Sequence, residues 1–278
     1  MPDVIAVESK NVSRCTSLHV EVVGNGPDLV LLHGWGLNSA CWQSIIPLLS
    51  THYRLHLVDL PGFGFSHDNY AVSCSLVDIT NALVDVVPAK AVWLGWSLGG
   101  LCATHFALQY PQRVAALVTV ASSPKFMATA KVDDIPAWPG IAEKVLAQFQ
   151  QQLQENLPQT INRFLAIQGM GSETAKQDIK QLKSLLAARP QPHEQALSNG
   201  LKLLESVDLR ADLSSLTMPF YRCYGRLDSL VPQTTVAWMD NYLPQSQRII
   251  FKASSHAPFI SEPGLFVDKL QTFLNNSL

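Results

Sequence analysis

Gly95-Trp96-Ser97-Leu98-Gly99 sets a serine in a G-x-S-x-G pattern, directly after an apolar run and directly before a helix-compatible one. A sharp strand-to-helix turn there would hold the serine in a strained backbone conformation and present its hydroxyl as a nucleophile. Glycines on either side avoid crowding it. The bare pattern also describes a glycine-rich connector with an ordinary serine, so the other parts of an acyl-transfer site must be sought. The start of a helix after Ser97 would offer the Leu98 N–H to a developing oxyanion. A second donor is expected from the loop after an earlier strand. There His33-Gly34-Trp35-Gly36 follows Leu29-Val30-Leu31-Leu32, and the Trp35 N–H is the candidate. The Trp35 indole would also wall an acyl pocket, unless it is simply a core aromatic.

A serine hydroxyl needs a base within hydrogen-bond reach, and the base needs a carboxylate to orient it. Of the eight histidines, His256 stands in Ser254-Ser255-His256-Ala257-Pro258, between the last candidate strand and the closing helix. His33 belongs to the oxyanion turn, His52 and His56 flank a strand, and His105 falls within the helix after Ser97. His19, His67 and His193 have no comparable position. For the acid, Asp228 follows a strand through Gly225-Arg226-Leu227 and completes the chain order Ser, Asp, His. Asp59, in Val58-Asp59-Leu60-Pro61-Gly62, precedes the nucleophile and is expected to organise its own turn through bonds to backbone N–H groups. No His/Cys/Asp/Glu cluster has metal-ligand spacing and no phosphate-binding glycine loop is present, so no metal and no cofactor is expected.

These residues must be positioned by a sheet. Short apolar runs at 29–32, 55–58, 91–94, 114–120, 219–224 and 248–251 read as strands buried on both faces. Helix-compatible segments at 42–49, 76–87, 98–110 and 264–275 alternate with them, which predicts a doubly wound, mostly parallel α/β sheet. About ninety residues separate Ser122 from Leu216, where a crossover needs little more than one helix. After a Pro-rich linker at 133–140, helical spacing recurs from Ile141 to Leu153 and over 159–168, 172–188 and 193–207. The expected organisation is a core of 1–122 and 208–278, with a helical lid at 123–207.

The 278 residues are 47% apolar and 15% charged, enough for a large core and too little charge for disorder. A net charge of -2 provides no general positive field for nucleic acid. Cysteines at 15, 41, 74, 102 and 223 form no CxxC and are odd in number, which points to reduced thiols. The first fifteen residues carry Asp3, Glu8, Lys10 and Arg14 with no apolar run of a secretory signal, so a cytoplasmic protein is expected. The uncharged stretch 91–112 contains Ser97, three glycines, His105, Gln109 and Pro111, which suits a strand, turn and helix better than a membrane span.

Taken together the residues resemble the α/β-hydrolase family, and within it the esterases that act on a pimeloyl methyl ester borne by acyl carrier protein in biotin synthesis. The likeness rests on Leu31-Leu32-His33-Gly34-Trp35-Gly36-Leu37-Asn38, His56-Leu57-Val58-Asp59-Leu60-Pro61-Gly62-Phe63-Gly64, Trp93-Leu94-Gly95-Trp96-Ser97-Leu98-Gly99-Gly100 and Val118-Thr119-Val120-Ala121-Ser122-Ser123-Pro124. Lid segments such as Arg163-Phe164-Leu165-Ala166-Ile167-Gln168 and Gly171-Ser172-Glu173-Thr174-Ala175-Lys176-Gln177-Asp178 carry more of the subfamily signal. The resemblance spans about 29–262. It implies hydrolysis of that methyl ester to methanol and a free carboxylate, with acyl carrier protein as partner.

It also implies that Phe164, Leu165, Ala166, Ile167 and Gln168 line the substrate channel, although lid packing accounts for Phe164 and Ile167 equally well. On a helix from Ser172, Lys176, Lys180 and Lys183 fall within about 60° of one another, apart from an apolar arc of Ile179, Leu182, Leu185 and Leu186. With Arg163 they would make a basic face for an acidic carrier protein, or merely a solvated helix surface. Gln159 is neutral where the resemblance leads one to expect a basic residue. Two other readings remain open. One is a different hydrolase on the same scaffold: a general short-chain carboxylesterase, a thioesterase or a carbon–carbon bond hydrolase. The other is a non-catalytic binding protein that keeps the fold. Dehalogenase and epoxide hydrolase chemistry would want an Asp where Ser97 stands.

Overall fold

A strand covered on both faces must be apolar at nearly every position, and that is how the central strands of the computed structural model are built. The structure describes residues 17–71, 73–131, 133 and 136–278. The seven described strands are β1 (Val20–Val23), β2 (Asp28–Leu32), β3 (Arg54–Val58), β4 (Ala91–Trp96), β5 (Val114–Val120), β6 (Phe220–Gly225) and β7 (Gln247–Phe251). Every residue of β4 and of β6 is buried. They lie in the order β1-β3-β2-β4-β5-β6-β7, with β1 antiparallel to β3 and all other pairs parallel. β1 is an addition to the sequence reading. It is only four residues long, half-exposed at an edge, and lacks the continuous apolar signal of its neighbours.

The helices are α1 (Ile46–Leu49), α2 (Leu76–Val84), α3 (Leu98–Gln109), α4 (Glu143–Glu155), α5 (Leu157–Gly169), α6 (Ala175–Ala187), α7 (Glu194–Ser206), α8 (Gln233–Tyr242), α9 (Pro258–Ser261) and α10 (Pro263–Ser277). The single helix expected over 42–49 is instead a 3₁₀ turn, Ser39–Ser44, followed by α1. Pro47 lacks the N–H that would continue a helix and opens α1 in its place. Because the parallel strands run the same way, the loops after β2, β4, β6 and β7 all emerge on one edge of the sheet. That edge is where open α/β sheets place their ligands.

α4 to α7 lie between β5 and β6 in the chain. Each turns an apolar stripe inward: Leu146, Phe149 and Leu153 on α4, Ile161, Phe164 and Leu165 on α5, Leu182 and Leu186 on α6, and Leu197, Leu201 and Leu204 on α7. Each such side chain contributes about 1.5–3 kcal/mol by leaving water. Asn156 ends α4 and caps α5, its side chain accepting from the Gln159 N–H at 3.0 Å. His193 caps α7 with a ring nitrogen, Nδ1 accepting from the Gln195 N–H at 3.1 Å. Arg189, just past α6, ties this layer to the core: it bonds Asp59 Oδ2 at 3.2 Å and Glu21 at 2.9 Å and lies over the Phe65 ring.

Cys41, Cys102 and Cys223 are buried thiols, and burial pushes Cys102 up to about 12. The readings made on residues 1–15, including Cys15, lie outside the described residues. Among the described residues no helix is long and apolar enough to cross a membrane.

Candidate active site

Ser97 joins β4 to α3 with φ 54° and ψ −118°, a left-handed conformation that costs a non-glycine residue about 1–3 kcal/mol. The surroundings enforce it. The Ser97 N–H donates to the Val120 carbonyl at 2.9 Å, and the Ser97 carbonyl accepts from Ser122 Oγ at 2.8 Å. A Cβ at position 95 would collide with the Gly99 backbone, and one at 99 with the carbonyls of Leu32 and His33, so both flanking positions require glycine. Leu98 opens α3, where an N–H has no intrahelical acceptor and points out of the helix end.

The turn after β2 passes directly beside the serine: a Cβ at Gly34 would stand 3.3 Å from Ser97 Cβ. His33 braces this turn from beneath, with Nδ1 donating to the Gly34 carbonyl at 2.8 Å and Nε2 accepting from the Leu60 N–H at 3.0 Å. Those partners fix its neutral tautomer. Burial pushes its imidazole below the ordinary range, against the opposing pull of the Asp59 carboxylate. The Trp35 ring is buried. Its Nε1–H donates to the Leu197 carbonyl of α7 at 2.8 Å, and the ring meets Phe164 edge-to-face at 4.6 Å.

His256 and Asp228 are brought together, Nδ1 to Oδ2, at 2.8 Å, and both are buried. The other Asp228 oxygen, Oδ1, accepts from the N–H groups of Leu230 and Val231 at 2.8 and 3.1 Å, which holds the carboxylate in place. A carboxylate only accepts here, so the His256 proton sits on Nδ1 and Nε2 is left as an acceptor. His256 Nε2 is buried and has no hydrogen-bond partner among the described residues, Ser97 Oγ included. The residue next to the serine carries the link between them: Trp96 Nε1–H donates to the His256 carbonyl at 2.8 Å, and the two rings lie 5.9 Å apart. Catalytic hydrogen bonds commonly tighten only once substrate is bound.

Asp59 serves its own turn, as its place in the chain predicts, accepting from the Ser39 N–H at 2.7 Å and the Phe65 N–H at 2.9 Å. The five consecutive residues 164–168 do not share a face, because successive helix positions are turned by about 100°. Phe164, Leu165 and Gln168 are buried, Ile167 is half-buried and Ala166 faces solvent. Lys176, Lys180 and Lys183 are exposed along α6. Arg163, also exposed, is engaged by Gln152 and Gln148 and lies over the Phe149 ring. An apolar cavity missed by sequence reasoning lies between the core and α7, lined by Leu60, Phe63, Ile79, Leu98, Ala196 and Leu203 among others. Gly200 of α7 was also missed. An isolated glycine within a helical pattern was its signal.

The chain belongs to the alpha/beta hydrolase fold family, whose sequence pattern matches residues 27–263. It is 50% identical over 258 residues to the pimeloyl-[acyl-carrier protein] methyl ester esterase of Vibrio vulnificus, covering 93% of this chain and 98% of that one. To the esterase of the same name from Photobacterium profundum it is 52% identical over 259 residues, covering 93% and 99%. In fold it is similar to an esterase from Exiguobacterium antarcticum, with a TM-score of 0.81 and 20% identity over 93% of this chain and 95% of that one. It is likewise similar to a bromoperoxidase from Bacillus anthracis, with a TM-score of 0.82 and 19% identity over 93% and 95%.

Proposed function

We propose that this protein is a serine carboxylesterase that hydrolyses the methyl ester of pimeloyl-acyl carrier protein in biotin synthesis, releasing methanol and the carrier-borne carboxylate. The observation that carries the reading is the buried His256–Asp228 pair on the same sheet edge as a strained Ser97. Near 50% identity over almost the full length to esterases of that name supports the substrate.

In this mechanism His256 Nε2 takes the Ser97 proton as Oγ attacks the ester carbonyl, and Asp228 steadies the imidazolium. The N–H groups of Trp35 and Leu98 hold the oxyanion, a contribution of about 2.7–4 kcal/mol per donor in comparable sites. His256 then protonates the departing methoxide, and water repeats the sequence on the acyl-enzyme. The apolar surfaces at Leu98 and Phe164 suit a methylene chain. Exposed Lys176, Lys180 and Lys183 on α6, with exposed Arg163 on α5, suit the acidic surface of acyl carrier protein, the proposed partner. A role in biotin synthesis suits a cytoplasmic protein.

Specificity constants for the carrier-borne methyl ester and for a short nitrophenyl ester test the assignment. A clear preference for the carrier-borne ester is expected, and equal constants would replace it with a generalist esterase.

A further inference from the structure

Gln168 stands in the last turn of α5, 2% exposed, and its side-chain Oε1 is buried with no hydrogen-bond partner among the described residues. It is one of six buried side-chain polar atoms unpartnered among the described residues, and since buried amide oxygens are nearly always satisfied, it stands open to a partner from outside the chain. Its surroundings say where that partner sits. The Gln168 backbone carbonyl accepts from the His256 N–H at 3.0 Å, which holds this turn of α5 against the base. One turn earlier Phe164 meets the Trp35 ring at 4.6 Å, and helix positions four apart share a face. The face of α5 that meets the Trp35 ring through Phe164 therefore also carries the Gln168 side chain, whose backbone is bonded to His256.

His256, the residue that this backbone bond joins to Gln168, likewise has a buried side-chain atom without a partner among the described residues, Nε2, and it too is an acceptor, because the Nδ1 proton is committed to Asp228. A molecule with two donor hydrogens lying between them would satisfy both acceptors at once. Neither a methyl ester nor the acyl-enzyme has an N–H or O–H at the reacting end. Water has two.

We infer that Gln168 Oε1 and His256 Nε2 together orient the water that hydrolyses the acyl-enzyme, so that Gln168 is a positioning residue for deacylation. This rests on the serine-esterase reading above. In the step, water donates one hydrogen to Nε2 and the other to Oε1. As its oxygen bonds the acyl carbon, the first proton passes to His256. The bond from the acyl carbon to Ser97 Oγ then breaks, and His256 returns that proton to Oγ. The second hydrogen leaves with the carboxylic acid. Acylation needs no water and makes no use of Oε1.

Gln168→Met removes the acceptor while keeping the side chain's length. With a nitrophenyl butyrate substrate, misplacing the water is expected to lower kcat by about 10–100-fold. KM should fall in proportion, so kcat/KM is retained, and a stoichiometric burst of nitrophenol should accompany a butyryl adduct on Ser97 detectable by mass. Hydroxylamine, a stronger nucleophile, should recover turnover more in the variant than in the wild type. Labelling of Ser97 by a fluorophosphonate at the wild-type rate certifies that the site is folded, and Gln168→Leu is read in the same way if methionine packs poorly. A fall in kcat/KM without adduct, or a raised KM at unchanged kcat, overturns the inference in favour of a packing or substrate-binding role. Failure of the esterase reading looks different: the wild type itself would neither turn over nor be labelled at Ser97.

Discussion

Gly200→Ala should impair catalysis without touching a reacting atom. Glycine within a helix costs about 0.8–1 kcal/mol relative to alanine, so its place inside the 13-residue α7 calls for a packing reason. A Cβ at this position would stand 2.5 Å from Trp35 Cδ1, 3.0 Å from Nε1 and 3.4 Å from Leu98 Cδ2. Carbon atoms pack at about 3.5–4.0 Å, so the indole must retreat by about 1 Å. The 2.8 Å bond from its Nε1 to the Leu197 carbonyl cannot survive that movement, a loss of about 1 kcal/mol. The helix gains a similar amount from alanine, so the net cost is the overpacking alone, about 1–3 kcal/mol. Activity suffers more, because Trp35 carries a proposed oxyanion donor and a displacement of about 1 Å can cost about 10²-fold. The assay is kcat and KM on a nitrophenyl ester well below Tm, with an expected fall in kcat of about 30–100-fold. In a Trp35→Phe background, where the smaller ring leaves room, the same change should cost under about threefold. A kcat within twofold of wild type, or an equal penalty in both backgrounds, would refute the reasoning.

Charge reversal at Lys176, Lys180 and Lys183 should lower the ratio of carrier-ester to nitrophenyl-ester kcat/KM by about 10-fold or more at low salt, and added salt should narrow the difference. A salt-independent ratio would remove α6 from docking. Arg189→Ala leaves the fully buried Asp59 without its cation, at a cost of about 3 kcal/mol. That corresponds to a Tm lower by about 6–12 °C in calorimetry, and an unchanged Tm would contradict it. Burial holds the folded His33 imidazole below its free value of 6.5. Between the folded and free values the unfolded chain therefore binds more protons, and His33 makes stability fall as pH drops below about 6.5. In denaturant titrations at pH 7.5 and 5.5, His33→Gln should lose less stability than wild type; an equal loss would show that His33 takes no part.

The central strands were legible because burial on both faces leaves continuous apolar runs, and the serine turn because its glycines are sterically compelled. The pairing of His256 with Asp228 was legible from chain order once the strands were placed. β1 and α8 were not. The first is a half-exposed edge, and the second shows only a weak apolar stripe, with Thr235, Val236 and Met239 buried. Also hidden were the contacts that join α7 to the turn after β2, since Trp35 and Leu197 are 162 positions apart and the bond is to a backbone carbonyl that any residue possesses. The helix rotation that leaves Ala166 exposed while Phe164, Leu165 and Gln168 are buried was not legible in the stretch 164–168 taken by itself.

Methanol released from pimeloyl-acyl carrier protein methyl ester by wild type and by Ser97→Ala tests the central claim most directly. The account predicts one methanol per carrier carboxylate formed by the wild type, and a rate at least about 10⁴-fold lower in a Ser97→Ala protein of unchanged Tm. Comparable methanol release by the two proteins would contradict it.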